Sequence, residues 1–345
     1  MPARRFVPLH SLVERSLAIE SPLMATGMSS PLSVSLADIR AARERIRGVV
    51  LRSPLVPLRI GGDGPDVYLK LESLQPINAF KLRGAANAVA MLSDAERGRG
   101  VWTISAGNAG QGVAYAARAA GVPCTVVVID TAPETKVRRM RELGAKLIKA
   151  PFDACWEAME SRTFPGVEGA FVHPFDDSNF IAGNGTIALE IEEDLPSVQA
   201  VVAAVGGGGL IAGIGSAFRE LRPEVLVYGA EPETAAPLAL SLREGRAETF
   251  ATWSASFIDG AGGKSVFPNM WNRLRLVVDG SIVVSLEEVR VAMRTLAETA
   301  RIISEGAGAL AVAAALSGKI EKGPIVAVVS GGNVDISKFC ELISA

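Results

Sequence analysis

Lys81 is distinguished from the other lysines of this chain by the residues on either side of it. It lies in the run Asn78-Ala79-Phe80-Lys81-Leu82-Arg83-Gly84, where apolar side chains flank it and alanine and glycine follow. A lysine in apolar surroundings loses hydration, which lowers its pKa and frees the amine to act as a nucleophile. Most lysines are solvated surface residues, so this interpretation depends on the other groups that the fold brings near.

Four consecutive glycines offer a binding site for an anion. They follow an apolar run, residues 198–205. Unpaired N–H groups at a helix start and the helix dipole favour a negative charge there, and four glycines exceed what a tight turn needs. They can hold one phosphate group, or they can form a dinucleotide-binding fingerprint with Ala212 and with Glu231, about 20 residues further on. The four are Gly206, Gly207, Gly208 and Gly209.

A second glycine-rich segment, Ser105-Ala106-Gly107-Asn108-Ala109-Gly110-Gln111, joins a predicted strand to a predicted helix. Its N–H groups can hold a substrate carboxylate. The side chain of Asn108 can hydrogen-bond a ring hydroxyl, cap the helix, or do both. A third such segment, Ser330-Gly331-Gly332-Asn333, follows the last predicted strand.

These groups together predict one cofactor. A lysine amine forms a Schiff base with an aldehyde, and a glycine-rich helix start binds phosphate. Pyridoxal 5'-phosphate carries both groups and therefore accounts for the lysine and the glycines at once.

Charge and histidine content exclude several other classes of function. The formal net charge is −2, with 35 Lys and Arg against 37 Asp and Glu, so no basic excess is available to bind a nucleic acid. His10 and His173 are the only histidines, which excludes a histidine-rich metal site and leaves any Ser-His-Asp arrangement to His173. We therefore expect an enzyme whose proton carrier is not histidine.

We expect a cytoplasmic protein that does not span a membrane. No sustained apolar run follows Arg4 and Arg5, so no secretory signal is predicted. Residues 195–218 carry no charge, but the glycines at their centre favour a strand, a loop and a helix over a membrane helix. The cysteines lack metal-ligand or redox spacing, and each is expected to be a small buried hydrophobe in a reduced compartment. They are Cys124, Cys155 and Cys340.

The alternation of apolar and amphipathic segments predicts parallel α/β units with sheets covered on both faces. A helix capped by Ser35 and Asp38 opens the pattern, and residues 245–275 show little periodicity. Strands are predicted at 67–71, 101–105, 124–129, 146–149, 170–173, 198–205, 225–230 and 325–330. Helices are predicted at 109–120, 134–143, 154–162, 210–221, 286–300 and 309–316.

Chain length and pattern predict two domains behind a flexible tail. The tail is residues 1–34. The large cofactor-binding domain is residues 35–95 and 181–345, and the small inserted domain is residues 96–180.

The sequence resembles the fold-type II, tryptophan-synthase-like pyridoxal phosphate enzymes, and within them the serine/threonine dehydratase group, which includes serine racemase. The resemblance extends from about Leu36 to Ile343, and its ordered motifs displace the dinucleotide alternative. It implies a two-lobed α/β fold, each lobe a mostly parallel sheet with helices on both faces. The motifs are Leu71-Glu72-Ser73-Leu74-Gln75-Pro76 with Phe80-Lys81-Leu82-Arg83-Gly84-Ala85, the segment 105–111, His173-Pro174-Phe175-Asp176-Asp177, Ile181-Ala182-Gly183-Asn184-Gly185-Thr186, the segment 206–210, and the segment 330–335.

The resemblance implies a role for each site residue. Lys81 carries the Schiff base and then acts as base and acid at the substrate Cα, with Phe80 beside the cofactor ring. Asn108 hydrogen-bonds the ring 3-oxygen, and Ser330 faces the pyridine nitrogen. Near the ring lie Gly260 and Glu305. The phosphate is held by N–H groups of Gly206, Gly207, Gly208, Gly209 and Leu210, and the substrate carboxylate lies at Ser105, Ala106, Gly107, Asn108 and Ala109.

The resemblance and Ser330 together imply β-elimination. A hydroxyl cannot keep a pyridinium protonated as a carboxylate would, so the ring is a weaker electron sink and transamination is disfavoured. Loss of a β-hydroxyl then gives a 2-oxo acid and ammonia, with threonine or serine as the expected substrate. Racemisation should be poor, because racemases of this group have a serine at the position of Ala106. A homodimer is implied by the resemblance alone.

Departures from the family pattern leave alternatives open. Alanines at three positions of the carboxylate side can make room for a bulkier substrate such as phenylserine, or for 3-hydroxyaspartate. Pro237 stands where the family's cation site has an aspartate six residues after Glu231, so no metal is predicted. A catalytically silent amino-acid or cofactor-binding protein remains a different class of hypothesis. The three alanines are Ala79, Ala106 and Ala109.

Overall fold

The computed structural model of the chain describes residues 34–61, 65–132, 134–321 and 323–344. The predicted tail, apart from Val34, and His10 lie outside the described residues. The capped first helix is confirmed, since Ser35 and Asp38 exchange side-chain and main-chain hydrogen bonds in a capping box.

Ten strands lie within the described residues and form two sheets. They are β1 (Leu55–Pro57), β2 (Val67–Lys70), β3 (Val101–Ile104), β4 (Cys124–Ile129), β5 (Lys146–Ala150), β6 (Ala170–Phe171), β7 (Ala200–Ala204), β8 (Leu226–Pro232), β9 (Gly280–Val284) and β10 (Ile325–Val328).

The larger sheet has the strand order β1-β2-β10-β7-β8-β9, and the smaller sheet has the order β5-β4-β3-β6. All neighbouring strands are parallel except β1 and β2. Successive residues of β7 enter opposite cores: Val201 and Ala203 pack on one face of the sheet, and Ala200 and Val202 on the other. Both faces are therefore covered, and the predicted α/β fold class is confirmed.

Helices connect the strands in the way that parallel pairing requires. A 3₁₀ turn lies at Glu72–Leu74 and a π-helical turn at Leu296–Ala300. The α-helices are α1 (Leu36–Arg45), α2 (Lys81–Ala90), α3 (Asp94–Arg99), α4 (Asn108–Ala120), α5 (Glu134–Glu142), α6 (Phe152–Ser161), α7 (Ser178–Asp194), α8 (Gly209–Leu221), α9 (Pro237–Glu244), α10 (Pro268–Val277), α11 (Leu286–Thr295), α12 (Gly306–Leu316) and α13 (Ile336–Ser344).

Glycines let the backbone of α7 pack directly against the backbones of α2 and α8. A β-carbon on Gly183 would lie 2.3 Å from the carbonyl oxygen of Arg83 in α2, and one on Gly213 of α8 would lie 2.5 Å from the carbonyl oxygen of Ile181 in α7. No side chain fits at either crossing. The close packing of these three helices sets the first residues of α2 and α8 in fixed relation to one another.

A buried ionic network fixes the base of α2. The guanidinium of Arg83 makes paired hydrogen bonds of 2.7–2.8 Å to the carboxylates of Glu72 and Glu190. Lys70 also contacts Glu190, at 2.7 Å, and donates to the carbonyl of Ser53 at 2.6 Å. Two cations and two carboxylates cancel in charge, which is the condition under which buried charges are tolerated.

Residues 245–275, which show little periodicity in the sequence, include the start of α10 at Pro268, a residue suited to a first helical position. One local prediction is wrong. Cys124 and Cys155 are buried as predicted, whereas Cys340 is exposed on α13. The predicted domain division stays a prediction: α2 packs against α4 beside the smaller sheet as well as against α7.

Candidate active site

Lys81 begins helix α2, and Phe80 precedes it as the N-cap residue. The amine of Lys81 donates a hydrogen bond to the main-chain carbonyl of Pro174, with 2.6 Å between Nζ and the oxygen. The rings of Phe80 and Phe180 have their centroids 5.1 and 5.4 Å from Nζ. Because burial removes water from the ammonium form, the pKa of Lys81 is lowered to about 8. A nucleophile needs the neutral amine, and this shift supplies it near neutral pH.

Main-chain pairing brings the segment before Lys81 next to the third glycine-rich segment. Ala79 and Gly331 form an antiparallel bridge. The N–H of Phe80 donates to the carbonyl of Ser330 at 3.0 Å. The end of strand β10 therefore determines where Ser330 lies relative to the lysine.

The four glycines form the loop from β7 to α8. Gly208 is the N-cap residue, and its φ of 88° is a left-handed conformation that other residues avoid. No side chain caps this helix start, so the N–H groups of its first turn, which includes Gly209 and Leu210, face no intrahelical or side-chain partner. The ring of Phe175 packs on the loop, where a β-carbon on Gly207 would lie 2.2 Å from it. The loop has the geometry of an anion site.

Three polar side chains form a chain of hydrogen bonds across the site. Nδ2 of Asn108 donates to Oε1 of Glu305 at 2.7 Å, and Oδ1 of Asn108 accepts from Nδ2 of Asn333 at 2.8 Å. Glu305 is the N-cap residue of α12, so the chain ties α4 to α12. It also fixes the Asn108 amide with its donor side toward Glu305.

Asn108 does not cap helix α4, contrary to one of the two roles predicted for it. Gly107, and not Asn108, is the N-cap residue, so the prediction that Asn108 caps the helix is wrong. The hydroxyl of Ser105 accepts the N–H of Gly107 at 3.1 Å and turns the chain into the helix. Ala106 is half-buried beside this turn, and Ala109 is buried in α4.

Gly260 and Ser330 lie on the side of the site formed by the larger sheet. A β-carbon on Gly206 would lie 2.9 Å from the carbonyl oxygen of Gly260, and one on Gly260 would lie 3.4 Å from Oε1 of Glu305. Ser330 is buried, and its hydroxyl donates to the carbonyl of Ala307 at 3.3 Å. The structure thus brings all three glycine-rich segments to one place, although the role of each residue stays a prediction.

Glu231, which the dinucleotide alternative requires on a ribose, is fully buried. Its carboxylate accepts the N–H groups of Leu238 and Ala239 at the start of α9, each at 2.8 Å, and the hydroxyl of Ser281 at 2.6 Å. Both oxygens are in use and neither reaches solvent, so Glu231 cannot bind a ribose. Pro237, the first residue of α9, stands beside this arrangement.

Four residues contribute to the site although the sequence analysis gave them no role. Pro174 receives the lysine, Phe175 covers the glycine loop, His173 shapes the turn between them, and Asn333 orients Asn108. The first three belong to a motif that was visible in the sequence. The contacts of Pro174 and Asn333 join residues 93 and 225 positions apart, which local patterns cannot reveal.

The described part of the chain contains neither a group of metal ligands nor a membrane-spanning helix. Among the described residues, no three His, Cys, Asp or Glu side chains are grouped closely enough to hold a metal ion. No helix in the described ranges is both long and apolar enough to cross a membrane. The uncharged stretch at residues 195–218 forms β7, the glycine loop and most of α8, as predicted.

The residues present fit pyridoxal 5'-phosphate. Its aldehyde needs an amine that is partly neutral, and its phosphate needs N–H donors at an uncapped helix start. The chain provides both, on either side of the segment that contains Pro174 and Phe175.

Comparison with known proteins agrees with this fit. The family model described as "Pyridoxal-phosphate dependent enzyme" matches residues 46–331. L-threonine ammonia-lyase of Thermotoga maritima is 42% identical over 316 residues, which cover 90% of this chain and 78% of that protein. The catabolic L-threonine dehydratase TdcB of Staphylococcus aureus is 39% identical over 319 residues, covering 90% and 92%.

Solved structures match over the same extent. Maize serine racemase superposes with a TM-score of 0.82 at 29% identity, covering 90% of this chain and 97% of that one. Threonine deaminase isoform 2 of Solanum lycopersicum gives a TM-score of 0.80 at 33% identity, covering 90% and 91%. The family match, the sequence relatives and the fold agree with the arrangement around Lys81, and this chain belongs to the pyridoxal-phosphate dependent enzyme family.

Proposed function

We propose that this protein is a pyridoxal phosphate-dependent ammonia-lyase that dehydrates and deaminates a β-hydroxy-α-amino acid, with L-threonine or L-serine as substrate and a 2-oxo acid and ammonia as products. The observation that carries the proposal is the position of Lys81: its partly neutral amine contacts Pro174, and the loop at the uncapped start of α8 contacts the next residue, Phe175. The relatives named for L-threonine breakdown support the substrate class.

When bound, the cofactor supplies an aldehyde for Lys81 and an electron sink for the substrate α-carbon. Nζ of Lys81 would bind the aldehyde and is placed to take and return the proton of the substrate α-carbon. The main-chain N–H groups of the α8 start would hold the phosphate. The amide of Asn108, fixed by Glu305 and Asn333, would orient the ring through its 3-oxygen.

Ser330 supports elimination over transamination. Ser330 is buried, and its hydroxyl lies 3.3 Å from the carbonyl of Ala307. A neutral hydroxyl can donate to an unprotonated pyridine nitrogen, but it carries no negative charge that would stabilise a pyridinium. A ring without a pyridinium proton would be a weaker electron sink, which would favour expulsion of the β-hydroxyl over transamination.

Racemisation is disfavoured by Ala106. A racemase must deliver a proton to the α-carbon from the face opposite Lys81, and a methyl group has none to give. The family resemblance places a serine at this position in racemases, so Ala106 supports a lyase.

The bulkier substrates are disfavoured by packing. Ala79 is fully buried and packs with Ile77 and Leu82, with Tyr115 alongside. Its short side chain therefore adds no open space to the site. Ala109 is buried as well, which leaves Ala106 as the one partly exposed alanine of the three. The burial of Ala79 and Ala109 therefore gives no support for a substrate as large as phenylserine.

We also propose a cytoplasmic homodimer, with residues 96–180 as a small domain inserted between the two parts of a large domain. The unpaired cysteines fit a reducing compartment. The separate four-stranded sheet, which lies within residues 101–171, supports the domain division.

The test is trapping followed by turnover. We expect borohydride reduction of the cofactor-saturated protein and peptide mapping to find the cofactor on Lys81, and Lys81→Ala to abolish ammonia release. Lys149→Ala is the matched control, because that lysine is half exposed on the edge strand β5. Threonine and serine should exceed phenylserine and 3-hydroxyaspartate in 2-oxo acid formation.

Two results would count against the proposal. A yellow protein that releases no ammonia from any of the four amino acids is a silent binding protein. A colourless protein whose activity survives Lys81→Ala is neither a pyridoxal phosphate-dependent lyase nor a silent protein that binds this cofactor.

A further inference from the structure

The segment between β6 and α7 is a motif of the sequence that the proposed function leaves without a role. Its residues are His173-Pro174-Phe175-Asp176-Asp177. Some of their contacts are within the segment, and others join it to distant elements. His173 is 2% exposed, so its imidazole belongs to the interior of the protein.

His173 folds this segment into a turn. Its Nδ1 accepts the main-chain N–H of Asp176 at 2.9 Å and that of Phe175 at 3.3 Å. An imidazole nitrogen that accepts hydrogen bonds carries no proton, so the ring must be neutral with its proton on Nε2. Burial acts in the same direction, because it lowers the pKa of His173 to about 4.

The turn aims two groups at the site. The carbonyl of Pro174 points to Lys81, 2.6 Å from Nζ. The ring of Phe175 lies on the glycine loop, and it also packs edge-on against the imidazole with 4.5 Å between centroids. A single turn therefore contacts both the lysine and the helix start that the proposed phosphate requires.

The end of the turn is held by other elements. Asp176 accepts hydrogen bonds from Arg162 after α6, at 3.1 Å, and from Asn269 of α10, at 3.3 Å. Asp177 caps α7 by accepting the N–H of Phe180 at 2.8 Å. With its end fixed, the conformation of the turn between residues 173 and 176 depends on what accepts the two N–H groups inside it. The imidazole of His173 is that acceptor.

We propose that His173 is a positioning residue: its unprotonated Nδ1 sets the turn that places the Pro174 carbonyl beside Lys81 and the Phe175 ring on the glycine loop. It acts through these neighbours and has no proton-transfer role. The inference rests on the proposed function only in assuming that this site binds pyridoxal 5'-phosphate.

The test compares two amides that differ in length. In His173→Asn the amide oxygen stands close to the position of Nδ1 and can accept the same N–H groups, whereas in His173→Gln the oxygen extends to the position of Nε2. His173→Leu removes the acceptor altogether. The dissociation constant of pyridoxal 5'-phosphate is measured by absorbance titration of the full-length apo protein, and thermal unfolding of each variant is recorded beside it.

We expect His173→Asn to bind the cofactor within about threefold of the wild type, and His173→Gln and His173→Leu to bind it about tenfold or more weakly, since two buried N–H groups lose their acceptor. Wild-type affinity in His173→Leu overturns the proposal. The proposal is also overturned if His173→Asn and His173→Gln lose the same affinity for pyridoxal 5'-phosphate at equal unfolding temperatures. The position of the acceptor atom would then make no difference to binding.

A second measurement needs no substitution of His173. The chain has two histidines, so ¹⁵N nuclear magnetic resonance of the holoenzyme, with His10→Gln to assign the signals, reports the tautomer directly. A neutral ring protonated at Nε2 at neutral pH supports the proposal, and an imidazolium or a ring protonated at Nδ1 overturns it. A protein that binds the cofactor but releases no ammonia overturns the proposed function, while both comparisons of His173 retain their outcomes because neither uses turnover.

Discussion

The amine of Lys81 and the carbonyl of Pro174, which lies 93 residues further along the chain, are 2.6 Å apart. The carbonyl can accept a hydrogen bond from the neutral amine as well as from the ammonium, so it holds Nζ in place in either state. Burial, and not a neighbouring charge, lowers the pKa of Lys81 to about 8. The position of the nucleophile and its protonation state thus have separate causes.

This separation predicts how cofactor incorporation depends on pH. Below its pKa Lys81 is protonated and cannot attack an aldehyde, so the rate should rise about tenfold per pH unit and level off near the pKa of about 8. The measurement is the growth of visible absorbance after apo protein is mixed with pyridoxal 5'-phosphate. A rate that keeps rising to about pH 10 would show an ordinary, solvated lysine.

The contact between Phe175 and Gly207 predicts the effect of a single methyl group. Because a β-carbon on Gly207 would lie 2.2 Å from the Phe175 ring, Gly207→Ala must move either the ring or the loop. We expect the affinity for pyridoxal 5'-phosphate to fall about tenfold or more, by titration of the apo protein. The double variant Gly207→Ala with Phe175→Ala, which frees the space, should recover part of the loss.

Gly263→Ala is the matched control, since its β-carbon would meet nothing closer than 3.8 Å and its φ is not in the left-handed region. Its affinity for the cofactor should equal that of the wild type. If Gly207→Ala binds as well as Gly263→Ala does, the loop is not rigid and the proposed phosphate cradle is wrong.

The ionic network around Arg83 predicts a large loss of stability. Arg83→Met leaves the carboxylates of Glu72 and Glu190 buried without their main partner, which costs about 3–5 kcal/mol in other proteins. We expect a decrease of that size in the free energy of unfolding, measured by urea denaturation of the apo protein.

An exposed pair provides the comparison. Arg47 and Glu44 form an ion pair with both side chains largely in solvent, so Arg47→Ala should change the free energy of unfolding by less than about 1 kcal/mol. Equal effects of the two substitutions would mean that the buried network contributes no more than a surface ion pair does.

Sequence patterns predicted the helices and strands whose apolar residues recur at the spacing of the element and are buried. They missed elements that form because of tertiary packing. The strand at Cys124–Ile129 and the helix starting near residue 209 were found almost to the residue, because their apolar runs are bounded by turn signals. Helix α7 was not predicted, since Gly183 and Gly185 lower its intrinsic helix propensity. Those glycines are needed for its crossings with α2 and α8, so tertiary contact overrides local preference there.

Some residues of the site were likewise predictable from the sequence, and others were not. Lys81 and the glycine loop were found because their chemistry is visible in a few consecutive residues. The edge strands β1 and β9 and the contacts of Pro174 and Phe175 were not found, because each depends on a partner elsewhere in the sequence. The contacts of His173 are local, but nothing in the sequence marks its imidazole as the acceptor of two N–H groups in a turn. Asn333 was quoted within a motif, but only the structure shows that it orients Asn108.

The buried carboxylate of Glu231 predicts a fall in stability as pH rises. Burial raises the pKa of Glu231 to about 7, against the lowering effect of Ser281 and of the two N–H groups at the start of α9. The folded state therefore keeps a proton on this group over a pH range in which the unfolded chain has lost it, so ionisation opposes folding. Between about pH 5 and pH 7 the wild type should lose about 2–3 kcal/mol relative to Glu231→Gln, with no further loss above that range.

Ser281→Ala tests the predicted pH dependence by removing a hydrogen-bond donor to Glu231. Removing this hydroxyl takes away a hydrogen bond to the charged carboxylate, so the pKa should rise further and the fall in stability should extend to higher pH. The measurement is urea denaturation at closely spaced pH values for the wild type and both variants. If the wild type instead becomes more stable than Glu231→Gln as pH rises, Glu231 is ionised in the folded protein, and the start of α9 together with Ser281 is sufficient to stabilise a buried charge.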